Sequence, residues 1–323
     1  IVETLNENLF TNYTNQGDST SSISYRSPIS RERFIKLYKN PNEIFSIDIR
    51  SANLRELPAT QLTACTSLEF SYNQLKTFPN FSFIAPNLKT LLIRRNPFYL
   101  SDIETERTFN SSVLAKIPTT LNNLHIEGTF YGSIERNIIS ARLPDLVTFD
   151  CARGGGAYFH RDTRSPDGND AFCPDVPQNV TTYNIGSNDF RSVDNNEISP
   201  NGTYANGSFS YKKLPKLVNL SVSSNYHLSD GSHSLASDST ISTINYSGTA
   251  VGLPNNLGGK SNLTSFVSTH NRGSANQLVN ASGNYLFGGC GSLKTLHLYN
   301  TNLGSINFPS AFNNPSLTYL DLR

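Results

Sequence analysis

Leu88-Lys89-Thr90-Leu91-Leu92-Ile93-Arg94-Arg95-Asn96-Pro97-Phe98 is the stretch that decides the fold. Apolar residues stand at its first, fourth, sixth and eleventh positions, and an Asn stands at its ninth. The same arrangement returns at Cys65–Leu75, Val180–Phe190 and Leu293–Leu303. With the first apolar position as marker, copies begin at Ile44, Cys65, Leu88, Leu121, Leu146, Val180, Leu217, Ile241, Leu263, Leu293 and Leu317. The spacing varies from 21 residues (Ile44 to Cys65) to 37 (Val180 to Leu217). A motif recurring at this period marks stacked supersecondary units rather than a single globular core.

Within each copy the fourth and sixth positions are apolar in almost every case, as in Leu68/Phe70, Leu124/Ile126, Tyr183/Ile185, Leu220/Val222 and Leu296/Leu298. The copy at Leu263 is weaker, with Phe266 followed by Ser268. Two apolar residues separated by one residue is strand spacing, because side chains on a strand alternate faces. Positions four and six are therefore predicted to point inward, and positions three, five and seven outward. The ninth position is Asn at 73, 96, 188, 225 and 271 and Thr at 129, 249 and 301. An inward Asn or Thr can satisfy backbone groups where the chain leaves the strand. Pro58, Pro79, Pro118, Pro144, Pro177, Pro215 and Pro254 precede several strands, and proline suits an irregular return segment.

On these copies the chain resembles the leucine-rich repeat proteins over residues 44–323. The resemblance implies a leucine-rich repeat solenoid of about eleven repeats, mostly β and irregular. It would be a curved right-handed coil with a parallel β-sheet on its concave face. The uneven spacing makes it look more like irregular bacterial and viral members than like regular animal and plant receptors. Cysteine-paired caps mark extracellular receptors of this type, and residues 1–43 contain no Cys.

Residues 1–43 read as a separate N-terminal segment. Residues 1–30 are rich in Asn, Ser and Thr and suit an extended arm, while 30–38 carry an N-cap Ser30 and apolar residues at 34, 35, 37 and 38, which predict a short capping helix. The chain contains no Met, which suits a processed or partial product, and the last copy runs into Arg323. A bare last strand is an edge open to pairing, so continuing chain or a partner subunit is expected over Leu317–Arg323.

Composition narrows the function. Of 323 residues, 26 are Lys or Arg and 25 Asp or Glu, so the net charge of +1 gives no general attraction to nucleic acid or to a membrane surface. No apolar run approaches the ~20 residues of a membrane span. Asn makes up about one residue in eight, so most Asn-x-Ser/Thr triplets arise by chance, and Asn219 and Asn245, inside predicted strands, suit no glycan. Of the four cysteines, Cys65 and Cys151 fall at inward positions, where a thiol acts as a small hydrophobe. All four read as reduced, with a Cys151–Cys173 bridge as the alternative.

Two insertions break the period. Residues 152–179 contain Gly154-Gly155-Gly156 without the Lys-Ser/Thr of a phosphate loop. They also hold Asp162, Asp167, Asn169, Asp170 and Asp175, which lack the spacing of a calcium loop and read as a Pro-Asp-Gly turn. Residues 191–213 carry two Asn-Gly pairs flanked by aromatics, the pattern of a hairpin or tight surface loop.

No nucleophile elbow, zinc spacing or paired-carboxylate pattern is present, so no catalytic residue, metal site or cofactor is expected. His125, with Leu92 and Asp150 on the neighbouring copies, makes no catalytic set. Binding is the expected activity. The outward third positions form a ladder of Ser, Thr and Asn, which also suits a plain solvated strand face. Binding hot spots favour Tyr and Arg, and two clusters offer them: Tyr72 with Arg50, Arg94 and Arg95 in the first three copies, and His297 with Tyr299 near the other end. The chain reads as a non-enzymatic structural and protein-binding module of a large assembly. Its partners would be other protein subunits, met through the concave face and the C-terminal edge. By analogy of composition the setting is a tailed-phage virion, at the tail or baseplate. A bacterial cell-surface or secreted adhesin is the alternative, and the targeting module of a larger secreted enzyme is a third reading.

Overall fold

The structure is a computed structural model that describes residues 22–26, 41–57, 59–130, 134, 138–153, 173–188, 190, 214–225, 235–250, 253, 257–271, 278, 285–301, 303 and 314–323. The chain divides into two compact units, Ile1–Tyr158 and Phe159–Arg323. The expected capping helix over 30–38, the turn over 162–170 and the hairpin over 191–213 lie outside the described residues.

Each unit is a leucine-rich repeat solenoid built on a parallel sheet. In the first unit the strands are β1 (Ser22–Arg26), β2 (Ser46–Arg50), β3 (Ser67–Glu69), β4 (Thr90–Leu92), β5 (Asn123–His125) and β6 (Thr148–Asp150), each hydrogen-bonded to the next. In the second they are β7 (Thr182–Asn184), β8 (Asn219–Ser221), β9 (Thr243–Asn245), β10 (Ser265–Val267), β11 (Thr295–His297) and β12 (Tyr319–Asp321). From β3 onward the strand occupies motif positions three to five, and like positions stand in register, as in Thr90↔Asn123 and His297↔Asp321. β1 falls in the span read as an extended arm: it pairs parallel to β2 from Ser22↔Ser46 to Arg26↔Arg50. Among the described residues, the α-helices of the return segments are short: Phe81–Ile84, Ser111–Ala115 and Ile138–Arg142. Asn80 and Asn110 cap the first two by accepting backbone N–H bonds.

Burial follows the period-two prediction. Leu68, Leu91, Leu124, Phe149, Tyr183, Leu220, Ile244, Phe266 and Leu296 at position four are buried, and so are Phe70, Ile93, Ile126, Cys151, Ile185, Val222, Tyr246, Ser268 and Leu298 at position six. Leu320 differs, at 44% exposed. Aromatic rings fill the space behind the strands. Phe78, Phe98, Phe109 and Phe130 meet at centroid distances of 5.1–5.7 Å in the first unit. In the second, Phe266 meets Phe287 at 5.1 Å and Tyr246 at 6.2 Å. A ring buries far more area than an aliphatic side chain, which is how a chain with 37% hydrophobic residues fills its coils.

The ninth-position side chains do what their chemistry allows. Asn73 accepts from the Ala52 and Leu54 N–H groups at 3.0 and 3.1 Å and donates to the Ile49 and Phe70 carbonyls, both at 2.8 Å. It thus ties the turn of the preceding coil to its own. Asn96 repeats the pattern, accepting from Leu75 N–H and donating to the Phe70 and Ile93 carbonyls. So does Asn225, with Phe190, Ile185 and Val222. A hydroxyl has one hydrogen to give. Thr129 and Thr249 accordingly donate to Ile126 and Tyr246 of their own coils, and Thr301 donates to Ser268 of the coil before.

Position eight carries a constraint of its own. Ser51, Tyr72, Arg95, Gly128, Ser187, Ser224, Gly248, His270 and Asn300 all have φ between +50° and +67°. This left-handed turn lets each of these N–H groups bond to the seventh-position carbonyl of the next coil, as in Tyr72 to Arg94 (2.7 Å), Arg95 to Glu127 (2.7 Å) and His270 to Tyr299 (2.9 Å). A third set of contacts lies away from the strands in the second unit. Buried Lys260 donates from Nζ to the Ala236 and Ser237 carbonyls at 2.6 and 2.7 Å, the Cys290 thiol donates to Leu257, and Asn314 donates to Phe287 and Cys290. These three residues each stand three before the first motif position, and each reaches back one coil.

Two predictions follow from this register and this ladder. Leu91→Asp places an unpaired charge in the core and should abolish cooperative unfolding, whereas Thr90→Asp, one residue earlier on the outward face, should leave the melting temperature nearly unchanged. Equal losses would rule out the register. Asn73→Ala orphans backbone groups in two coils and should cost about 2–4 kcal/mol in urea unfolding, against about 1 kcal/mol for Thr129→Ala.

Candidate functional site

The first strand face begins with an ion pair. Asp48 and Arg50 lie two apart on β2 and so share a face, and the guanidinium donates to both carboxylate oxygens at 2.7 and 2.6 Å. Arg50 is therefore engaged within its own coil. Tyr72 and Arg95, grouped with it in the sequence, come together instead: the Arg95 guanidinium lies 5.3 Å over the Tyr72 ring. Tyr72 is 44% exposed. Arg95 also stands 3.6 Å from Glu127 across the next coil, an exposed pair that contributes little to stability.

Arg94 leaves that pair and turns to the following coils. Its Nη2 is 2.7 Å from His125 Nδ1, and the same ring nitrogen is 3.5 Å from Asp150 Oδ2. Asp150 also accepts from the Ala152 N–H at 3.1 Å. Burial alone would raise the Asp150 pKa. The close approach of His125, the hydrogen bond from the Ala152 N–H and the nearby Arg94 charge outweigh it and hold the carboxyl below its ordinary value. The sequence set His125 beside Leu92 and Asp150. Register places them there, but Arg94 is the partner that the sequence reading did not supply. No hydroxyl or thiol bonds to His125 among the described contacts. Burial also keeps Cys65 protonated, with its pKa pushed up to about 11, so this thiol is a core residue rather than a nucleophile.

In the second unit, β11 and β12 bring a second group together. His297 faces Asp321 with Nε2 3.4 Å from Oδ2, and Arg323 donates to both Asp321 oxygens at 2.9 and 2.7 Å. The Arg323 hydrogen bond holds Asp321 well below the usual carboxylate range, against the opposing effect of burial. The Arg323 guanidinium sits 5.4 Å over the Tyr299 ring, and His297 lies 6.4 Å from it. His297 and Tyr299 thus stand together as the sequence suggested. Tyr319, Asp321 and Arg323 complete the group from positions three, five and seven of the last copy, and the parallel register is the signal that joins them. Among the described residues no group of three or more His, Cys, Asp or Glu is placed to hold a metal ion.

Three of the residues on these faces, Tyr72, Arg95 and His270, occupy the left-handed turn at position eight. Other copies place Gly, Ser or Asn there. A left-handed conformation costs a bulky side chain about 1–2 kcal/mol, and glycine almost nothing.

No sequence-family profile matches the chain, and no curated protein matches it. Among solved structures, the chain is similar to the crystal structure of an internalin from Listeria monocytogenes at 15% identity. The match covers 82% of this chain and 80% of that one, with a TM-score of 0.41. The strands and the ninth-position ladder, not this likeness, define the fold. No helix among the described residues is long and apolar enough to cross a membrane.

The depressed Asp150 carboxyl gives a pH prediction. A group whose folded pKa is lowered adds stability above its unfolded value, 3.8, and that stability is lost as pH falls through the folded value. The urea midpoint of the wild type should therefore fall on going from pH 5 to pH 2.5, and that of Asp150→Asn should fall less. An identical pH dependence in the two proteins would remove Asp150 from the set.

Proposed function

We propose that the chain is a non-enzymatic protein-binding module of a large assembly, acting through the strand face around Tyr72, Arg94 and Arg95. The observation that carries this reading is the occupant of the left-handed turn. Tyr72 and Arg95 accept a conformation that Gly or Asn would take more cheaply, and Tyr72 stays substantially exposed rather than filling the core. Strain kept at an exposed site points to function. Tyr and Arg in mutual contact are also the residue types that dominate binding energy at protein interfaces.

The setting we propose is the virion of a tailed phage, at the tail or baseplate. What supports it is the uneven repeat spacing, the Asn/Ser/Thr-rich composition and the absence of Cys in residues 1–43. A test uses immunogold labelling with an antibody to this chain on purified particles and on bacterial cells from the source culture. Gold on particles supports the virion setting, and gold on the cell envelope replaces it with a surface adhesin.

The binding face has its own test. A photo-crosslinking amino acid placed at position 72 of the intact protein should capture a protein partner in the labelled structure. Tyr72→Asn should abolish that partner's binding while leaving the melting temperature unchanged or raised, since relief of the turn is worth about 1 kcal/mol. Retained binding by a stable Tyr72→Asn variant would move the binding face elsewhere.

A further inference from the structure

The copy that begins at Leu88 runs 33 residues to the next, against 21 and 23 for the two before it. The extra chain forms a compact loop beyond β4. It leaves the core at Phe98 and returns at Phe109, and both rings are fully buried against Phe130, at 5.4 and 5.2 Å. Between them lie two 3-10 turns, Phe98–Leu100 and Glu104–Glu106. The loop satisfies its own backbone. The hydroxyl of buried Ser101 accepts from the Ile103 N–H at 3.2 Å, and its carbonyl accepts from Arg107 Nε at 2.7 Å. Asn110 donates to the Thr105 carbonyl at 2.7 Å, and the Tyr99 N–H reaches the Thr129 carbonyl of the next coil at 3.2 Å. Compact loops packed by their own side chains frequently carry function.

The outer side of this loop is apolar and faces water. Leu100 and Ile103 are 52% and 48% exposed. The inward places of the loop are already taken by Phe98, Ser101 and Phe109, all at 0% exposure. Asp102 and Glu104, beside the two aliphatic side chains, are exposed as well. Residues 99–107 hold three acidic residues and one Arg in sequence, and that Arg is tied to the Ser101 carbonyl. An apolar centre with a polar rim is the layout of a protein interface. Here the rim is acidic, so it repels nucleic-acid phosphates and anionic lipid headgroups.

We propose that this loop is a second docking surface, which inserts Leu100 and Ile103 into an apolar groove of a partner protein whose rim is basic. The pinned, exposed aliphatic pair flanked by carboxylates carries the proposal. Because the anchors already order the loop, little conformational freedom is lost on binding. The carboxylates steer a basic partner toward it, and burial of the two aliphatic side chains holds that partner. The surface lies in a return segment rather than on the strand face around Tyr72, so it goes beyond the function proposed above. A chain with both surfaces can join two subunits of an assembly.

Selection from a synthetic library of random dodecapeptides tests this. The library is selected on the intact chain and depleted on a Leu100→Ser/Ile103→Ser variant. Depletion removes peptides that bind the strand face, so the outcome does not depend on the role of Tyr72. The retained peptides should carry net positive charge and at least two large apolar residues. In calorimetric titration the best of them should bind with a Kd below about 100 μM at low salt. Leu100→Ser/Ile103→Ser should weaken it about tenfold or more, and Asp102→Asn/Glu104→Gln about threefold to fivefold. Phe83→Ser, which removes a lone exposed ring elsewhere in the unit, should leave it unchanged. All these sites are on the surface, so melting temperatures should match the wild type, and either single Ser variant replaces the double one if that fails to fold. The proposal is overturned if no peptide distinguishes the wild type from the folded Ser variants, or if the retained peptides are neutral or acidic. Equal weakening by Phe83→Ser would overturn it too.

Discussion

The whole architecture depends on satisfying the backbone at the point where each coil leaves its strand. Three-residue strands expose their polar groups almost at once, and a buried N–H or carbonyl without a partner costs as much as a lost hydrogen bond. Two devices meet this need within eleven residues. The left-handed eighth residue carries its N–H to the next coil, and the inward ninth residue collects the groups on either side of the turn. Asn73, Asn96 and Asn225 have both a donor and an acceptor and so bridge two coils. Thr129 and Thr249 have a single hydroxyl hydrogen, and each gives it to a carbonyl of its own coil.

Because those devices are local, the length of chain between copies is nearly free. Extending a return loop costs only slowly increasing entropy, while the strand, turn and ladder stay fixed. This accounts for copies spaced from 21 to 37 residues that still align strand to strand, with Val180 and Leu217 heading neighbouring coils in register. Loop variety on the return side is therefore compatible with a regular strand face, and only the strand face places side chains from different copies at fixed spacing.

Much of this order could be read from the chain. Leu91 and Ile93 announce a strand and its inward face by spacing alone, and Asn96 announces the ladder by residue type. The left-handed turn was less legible. Gly128, Gly248 and Asn300 signal it, but Tyr72 and Arg95 at the same position read as binding residues with no backbone meaning. The clusters were legible only in part. Tyr72 with Arg95 and His297 with Tyr299 lie close in motif position. The Arg94–His125 contact depends on which way a long side chain turns, which spacing cannot say. The Lys260, Cys290 and Asn314 contacts share the position three before the motif, but three unlike residue types give no common signal there.

Under the binding role proposed for Tyr72 and Arg95, position eight links stability to function in a way that neither the strand nor the ladder does. It is flanked by two inward residues, at six and nine, so a side chain there has no place in the core. Its backbone is nonetheless locked by the bond to the next coil. A large residue at this position is held rigidly by its main chain and kept outside by its neighbours. That combination gives a pre-positioned contact, at the cost of a strained φ. Gly128 and Gly248 adopt the turn without that cost. Tyr72 and Arg95 hold an exposed ring and an exposed cation in this turn, and His270 holds a second ring there beside Tyr299.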